Sequence, residues 1–224
     1  MHIDISLRKN DPIRIIVDGS NESGKSTVCN IIKSMLTGLT IIETHDYGHI
    51  HVIRELQKSP YSLSKHSDWF DLTEKERAVS MNYIHNREDT LIDYLCQNRY
   101  DDILVERLLL TTQVYGQILF HTRMDNEKNL KKLAEQDFLL IFTSASFDII
   151  SKRIEMNKET KKRMNLHETP EHLTNMNLIK NKLEMYEKEY SKIKLDKIKI
   201  DTSTLSEEEM YDCLKKLIIT RYKR

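Results

Sequence analysis

The stretch Ile13-Arg-Ile-Ile-Val-Asp18-Gly19-Ser20-Asn21-Glu22-Ser23-Gly24-Lys25-Ser26 decides the fold. Ile13 to Asp18 is rich in β-branched residues and predicts a short buried strand. Gly19 to Ser26 then fits the pattern G-x-x-x-x-G-K-[ST], and a helix is predicted to open near Gly24. Each part has a chemical reason. Glycine lets the backbone curl until successive N–H groups point at phosphate oxygens. The helix that follows adds the positive end of its dipole. Lys25 is placed to reach the β- and γ-phosphates, and Ser26 to ligate Mg²⁺. ATP with Mg²⁺ is the expected pair, held by Gly19, Ser20, Asn21, Glu22, Ser23, Gly24, Lys25, Ser26 and Thr27. Glu22 is a departure, because it brings negative charge beside phosphate unless its side chain points away.

Working outward, strands and helices alternate. Further strands are expected at Leu39–Thr44, Asp102–Glu106, Phe138–Thr143 and Lys197–Asp201. Helices are expected from Gly24 to about Leu36, from Asp71 or Thr73 to about Gln97, and from Thr111 to about Phe120. Four more follow: Glu127–Gln136, Phe147–Asn157, Pro170 to about Ile193, and Ser206–Tyr222. Such alternation implies right-handed crossovers, hence an α/β, P-loop NTPase three-layer sandwich: a five-stranded parallel sheet with helices on both faces. Ligands in such folds sit at the carboxyl ends of the strands. With 224 residues the chain suits a single domain, 1–224, with a basic lid over about 158–169.

Composition narrows the function classes. Lys+Arg and Asp+Glu are equal at 35 each, so whole-chain charge gives no footprint for nucleic acid. The 3 cysteines, Cys29, Cys96 and Cys213, are far apart and lack zinc-type pairing; a reducing cytoplasm is expected. No apolar run approaches the ~20 residues needed to span a bilayer. His45, His49 and His51 are irregularly spaced, and polar loop residues are expected there rather than a metal site.

Glu106 and Arg107 follow the third strand. A carboxylate there can act through Mg²⁺ or orient an acceptor hydroxyl, and an arginine can stabilise transferring phosphate charge. Glu106-Arg107-Leu-Leu-Leu-Thr111-Thr-Gln-Val114-Tyr115 resembles the D-R-Y-x-x-S-x-x-A-Y segment of the thymidylate kinase-like group of nucleoside and nucleotide kinases. Upstream, Tyr83-Ile-His-Asn86-Arg87 resembles that group's F-A-A-N-R segment. The resemblance implies that Tyr83 stacks on an acceptor base and Arg87 contacts its edge. It implies that Arg107 holds the acceptor phosphate, that Thr111 keeps the family's hydroxyl, and that Tyr115 packs on sugar or base. The acceptor it implies is a nucleoside monophosphate, a deoxynucleotide in the family's pattern, and the oligomer it implies is a homodimer.

The chain departs from that pattern at Asn21, which replaces an aspartate that meets the sugar, at Leu108, and at Glu43-Thr-His-Asp46. Glu106-Arg107 also resembles the E-R-S motif of deoxynucleoside kinases, in which a glutamate after strand two is the base; Glu43 could fill that place. A nucleoside acceptor phosphorylated at its 5′-hydroxyl therefore stays open. So do an ATPase or GTPase switch, a non-catalytic nucleotide-binding protein, and a kinase acting on a base within DNA. Against a GTPase switch, Thr143-Ser-Ala-Ser stands where a guanine motif would follow strand four.

Lys161-Lys162-Arg163 is read as part of the lid, with Arg163 donated to the transferring phosphate, since Ser20 to Ser23 carry no basic residue. Arg153 is read, by the same resemblance, as packing on adenine.

Overall fold

The computed structural model describes residues 12–44, 73–164 and 174–222. Its sheet has five strands: β1 (Arg14–Gly19), β2 (Thr40–Glu43), β3 (Ile103–Glu106), β4 (Leu139–Ser144) and β5 (Asp196–Asp201). All pairs are parallel, and the order is β2-β3-β1-β4-β5. Among the described residues seven helices surround it: α1 (Lys25–Met35), α2 (Glu74–Gln97), α3 (Leu109–Phe120), α4 (Glu127–Glu135), α5 (Phe147–Arg163), α6 (Met176–Lys192) and α7 (Glu207–Tyr222). The first strand is central, so the loop that leaves it emerges in mid-sheet, flanked by the ends of β3 and β4.

Alternation along the strands sorts the core into two layers. Ile13, Ile15 and Val17 pack with Val28, Ile32, Leu214 and Ile218 of α1 and α7. Ile16 faces the other way, into a layer built with Ile92 and Leu95 of α2, Leu110 and Val114 of α3, Leu133 of α4 and Tyr186 of α6. Arg14 breaks the apolar run, yet it is only 1% exposed. Its guanidinium donates to the carbonyls of Leu95 (3.3 Å) and Asn98 (2.5 Å), closing the end of α2, and lies 5.1 Å from the Phe138 ring centroid.

Three boundaries differ from expectation. The stretch 158–163 is not loop: α5 continues through Arg163. Ser146 caps its start by accepting from the Ile149 N–H, its end carries Lys161, Lys162 and Arg163, and neither glycine nor proline interrupts it. Strong helix formers and cations at the negative end of the dipole favour that extension. α6 begins at Met176, not near Pro170, because the Asn175 side chain accepts from the Leu178 N–H and caps it there. α3 begins at Leu109, two residues before Thr111. Pro170, the lid beyond Met164, Trp69, Asp71, Asp46 and the three histidines His45, His49 and His51 lie outside the described residues.

One polar contact joins α2 to α3. The Thr112 hydroxyl lies 3.0 Å from Glu88 Oε1 and 3.0 Å from the Leu108 carbonyl. A hydroxyl has one proton, so a protonated Glu88 supplies the second hydrogen bond. Burial accounts for that proton, pushing the Glu88 carboxyl up to about 8 from its ordinary 4.5. Folded protein thus keeps a proton that the unfolded chain releases between these values, and stability falls as pH rises through the window. Glu88→Gln should flatten the fall and be more stable than wild type at pH 8.5 by on the order of 1–3 kcal/mol. Urea titrations at pH 5 and pH 8.5 check this; parallel profiles for both proteins would refute the assignment.

Candidate active site

The carboxyl ends of β1 and β3 meet at Asp18, which is completely buried. Its Oδ1 accepts from the Gly19 N–H (2.7 Å) and the Thr111 hydroxyl (2.6 Å). Its Oδ2 accepts from the N–H groups of Leu108 (3.0 Å) and Thr111 (3.1 Å). Asp18 therefore caps α3 from a different element, where Leu108, in the cap position, offers no side-chain cap. Because Thr111 donates to Asp18, the Tyr186 hydroxyl of α6, 3.1 Å away, must donate to Thr111.

The loop after β1 is held in its curl by hydroxyls from neighbouring strand ends. Ser23 Oγ lies 2.7 Å from Thr143 Oγ1 and donates to the Ser20 carbonyl at 2.8 Å. Thr202, after β5, donates to the Ser23 carbonyl at 3.0 Å. Gly19 is required: a Cβ there would come within 2.3 Å of the Thr143 carbonyl oxygen. Glu22 takes a left-handed backbone (φ 59°), and its carbonyl accepts from Arg153 at 2.8 Å. Arg153 also donates to Thr202 Oγ1 and to the Thr202 carbonyl, both at 3.0 Å. α5 thus straps the loop to β5.

Lys25 is 4% exposed and its ammonium is turned back onto the Ser20 carbonyl. Burial first, then the neighbouring Arg107 charge, lower its pKa to about 7. Ser26, at the exposed start of α1, donates to Glu106 Oε1 at 3.2 Å. This pair offers oxygen donors of the kind magnesium takes alongside phosphate oxygens.

Arg107 has a left-handed backbone (φ 65°) at the turn from β3 to α3, with its N–H still donating to the Val17 carbonyl at 2.8 Å. A branched-length side chain in that conformation costs about 1–3 kcal/mol and tends to mark function. Its Nη2 donates to Asn21 Oδ1 at 2.9 Å, and its buried Nε has no partner among the described residues. Asn21 is also hydrogen-bonded to Tyr115, which is buried. The structure therefore brings Lys25, Asn21, Arg107, Thr111 and Tyr115 into one group, with Ser26 and Glu106 beside it.

The other expected residues stand elsewhere. Glu43 pairs in register with Glu106, so both side chains point to the α1 side of the sheet, and its carboxylate accepts from Lys33 at 2.6 Å. Tyr83, 36% exposed, and half-buried Arg87 lie one turn apart on α2. Arg163 is exposed in the last turn of α5, with a 3.5 Å bond to Thr160 of its own helix. Thr27 is half-buried in the first turn of α1. Sequence reasoning missed Asp18, Thr143, Thr202, Glu88 and Tyr186. A signal existed for Asp18 alone: an acid ending an apolar strand must find partners.

This is the architecture of a P-loop NTPase. The chain is similar to a thymidylate kinase from Candida albicans at 14% identity and TM-score 0.58, over 95% of this chain and 93% of that one. It is similar to the YorR protein of Bacillus subtilis, solved with phosphorylated GDP, at 18% identity and TM-score 0.56, over 94% and 98% of the two chains. At such identities the likeness is one of fold. No protein-family model matches the chain, and no curated protein matches it in sequence.

Asp18→Asn should test the shared anchor. Either orientation of the amide places its NH₂ against backbone N–H donors, Gly19 on one side or Leu108 and Thr111 on the other, so the variant should lose about 2–4 kcal/mol in chemical denaturation. A loss below ~0.5 kcal/mol would show that α3 needs no cap from β1.

Proposed function

We propose that this chain is a kinase that transfers the terminal phosphoryl group of ATP to a nucleoside monophosphate. The observation that carries the reading is Arg107: a partly buried cation with an unpartnered Nε, tied through Asn21 to the phosphate-binding loop, one residue from Glu106. A donor fork aimed beside a triphosphate loop suits a second anionic reactant. The Bacillus subtilis neighbour was solved with a phosphorylated nucleotide, and the Candida albicans neighbour is a thymidylate kinase, both in keeping with a nucleotide acceptor.

The residues then divide the work. Backbone N–H groups of the loop beyond Gly19, whose own N–H is held by Asp18, and the start of α1 cradle the triphosphate. Lys25 leaves the Ser20 carbonyl and neutralises charge on the β- and γ-phosphates. Ser26 and Glu106 hold magnesium, which supplies Lewis-acid polarisation of the phosphoryl oxygens. Arg107 fixes the acceptor phosphate in line, while Asn21 and Tyr115 set the position of the sugar. Tyr83 and Arg87 of α2 read the base, and Arg163 closes from the end of α5. Catalysis in this scheme is positioning and charge stabilisation, and none of these side chains forms a covalent bond. Glu43, paired with Lys33, is left out of it.

Two outcomes follow. In a coupled ADP assay over nucleosides and their monophosphates, a monophosphate should be turned over, and Arg107→Ala should cut its kcat/KM by on the order of 10²–10³ with little change in the KM for ATP. Turnover of no acceptor in the panel, or an unaffected Arg107→Ala, would defeat the proposal. The second outcome concerns pH. With Lys25 at about 7 in the free protein, triphosphate binding must return a proton to it. ATP affinity should fall about tenfold per pH unit from 7.5 to 9, and Lys25→Arg should abolish the slope. Calorimetry in buffers of different ionisation enthalpy measures the proton taken up; a flat profile in wild type contradicts the assignment.

A further inference from the structure

Thr44, the residue after β2, takes no part in the scheme above, yet it touches the turn that carries Glu106 and Arg107. β2 pairs in register with β3, Glu43 opposite Glu106, and the Thr44 N–H donates to the Glu106 carbonyl at 3.2 Å. The half-buried Thr44 hydroxyl adds two contacts of nearly equal length. It lies 3.0 Å from the Glu106 carbonyl oxygen and 2.9 Å from that of Arg107. Both partners are acceptors, so the hydroxyl donates, and its one proton is shared between them.

The shared contact depends on the turn of the backbone. Consecutive carbonyls of an extended strand point to opposite sides, and one hydroxyl on a neighbouring strand cannot reach both. Here it reaches both, because Arg107 has left the strand for a left-handed conformation (φ 65°). That conformation is unfavourable for a residue with a side chain. A contact made to the turned backbone and lost in the extended one shifts the balance toward the turn. Arg107 is thus held on both sides: its N–H donates to the Val17 carbonyl at 2.8 Å, and its carbonyl accepts from Thr44. With the backbone so fixed, its Nη2 meets Asn21 Oδ1 at 2.9 Å. The preceding residue, Glu106, keeps its carboxylate on the Ser26 hydroxyl.

We propose that Thr44 is a positioning residue for phosphoryl transfer: its hydroxyl clamps the Glu106 and Arg107 carbonyls and holds Arg107 in the turn that aims its guanidinium at Asn21 and the acceptor phosphate. This rests on the acceptor reading given above, and the experiment tells the two failures apart. Thr44→Val keeps the shape and loses the hydroxyl, Thr44→Ala loses both, and Thr44→Ser keeps the hydroxyl. With the best wild-type monophosphate as acceptor, the valine and alanine variants should lose about tenfold or more in its kcat/KM, while the KM for ATP changes less than about threefold and Thr44→Ser stays within about threefold of wild type. Adding Thr44→Val to Arg107→Ala should cost less than about twofold more, because the clamp acts through the arginine. A crystal structure of Thr44→Val should show Arg107 out of the left-handed region or its Asn21 contact broken. Full activity in folded Thr44→Val, an unmoved Arg107 in its crystals, or a loss that adds to that of Arg107→Ala overturns the role of Thr44 and leaves the kinase reading standing. So does failure of both Thr44→Val and Thr44→Ala to give a cooperative melting curve, which marks a residue needed by the fold as a whole. Wild type that turns over no monophosphate overturns the acceptor reading, and this inference with it.

Discussion

The geometry of the site depends on one carboxylate. Asp18 ends the central strand, and its two oxygens gather the first N–H of the phosphate-binding loop, two N–H groups at the start of α3, and the Thr111 hydroxyl. A charge with no exposure to water is tolerated only when its lone pairs are filled, and here four donors fill them. The result is mechanical. The start of the loop and the start of α3 are held to opposite oxygens of a group about 2 Å across, so neither can move without the other. Arg107 lies on the turn between β3 and that helix, and Asn21 lies in that loop. Their 2.9 Å contact follows from the anchor beneath them.

The loop is preorganised by the same kind of economy. Thr143 and Thr202 come from the ends of β4 and the segment after β5, and Arg153 from α5, yet all act on backbone atoms of residues 20–24 or on Ser23. Their partners are carbonyls and a hydroxyl, so these contacts take none of the loop's N–H groups away from an anion. Curling five residues around a phosphate would otherwise take its entropy from the binding energy; here folding has already fixed them. The left-handed backbones at Glu22 and Gly24 are consistent with that constraint, since only one of the two is the residue that adopts such angles freely.

How much of this was legible in the sequence follows the range of the interactions. Strands were readable because a run of β-branched residues is a local signal: Ile13, Ile15, Ile16 and Val17 predict a buried strand, and β1 stands there with both faces covered. The motif from Gly19 to Ser26 was readable for the same reason. The end of α5 was not, because a basic run looks like solvated loop until the Ser146 cap and the dipole are counted together. For Asp18 the residue type was a signal but its partners were not legible, and Thr202 gave no signal at all. Their partners lie 90 or more residues away for Asp18 with Leu108, and 179 away for Thr202 with Ser23. Only the parallel order of the sheet brings them together. Glu43 shows the converse: the motif put it in a segment that follows β2, whereas it is the last residue of that strand, and pleat parity turns its side chain toward α1 and Lys33.

The free energies at this site run against the stability of the fold. Lys25 is buried enough to fall from 10.5 to about 7, and Arg107 adds to that fall instead of relieving it. Arg107 itself holds a backbone angle that costs about 1–3 kcal/mol and leaves a buried donor unused. Each of these is unfavourable in the free protein, and each would vanish if the residue were apolar and the turn carried glycine. A fold under selection for stability alone would remove them. What would relieve both is the same, negative charge at the junction of the loop, β3 and α3, where the backbone of the loop and the turn before α3 already converge on Asp18.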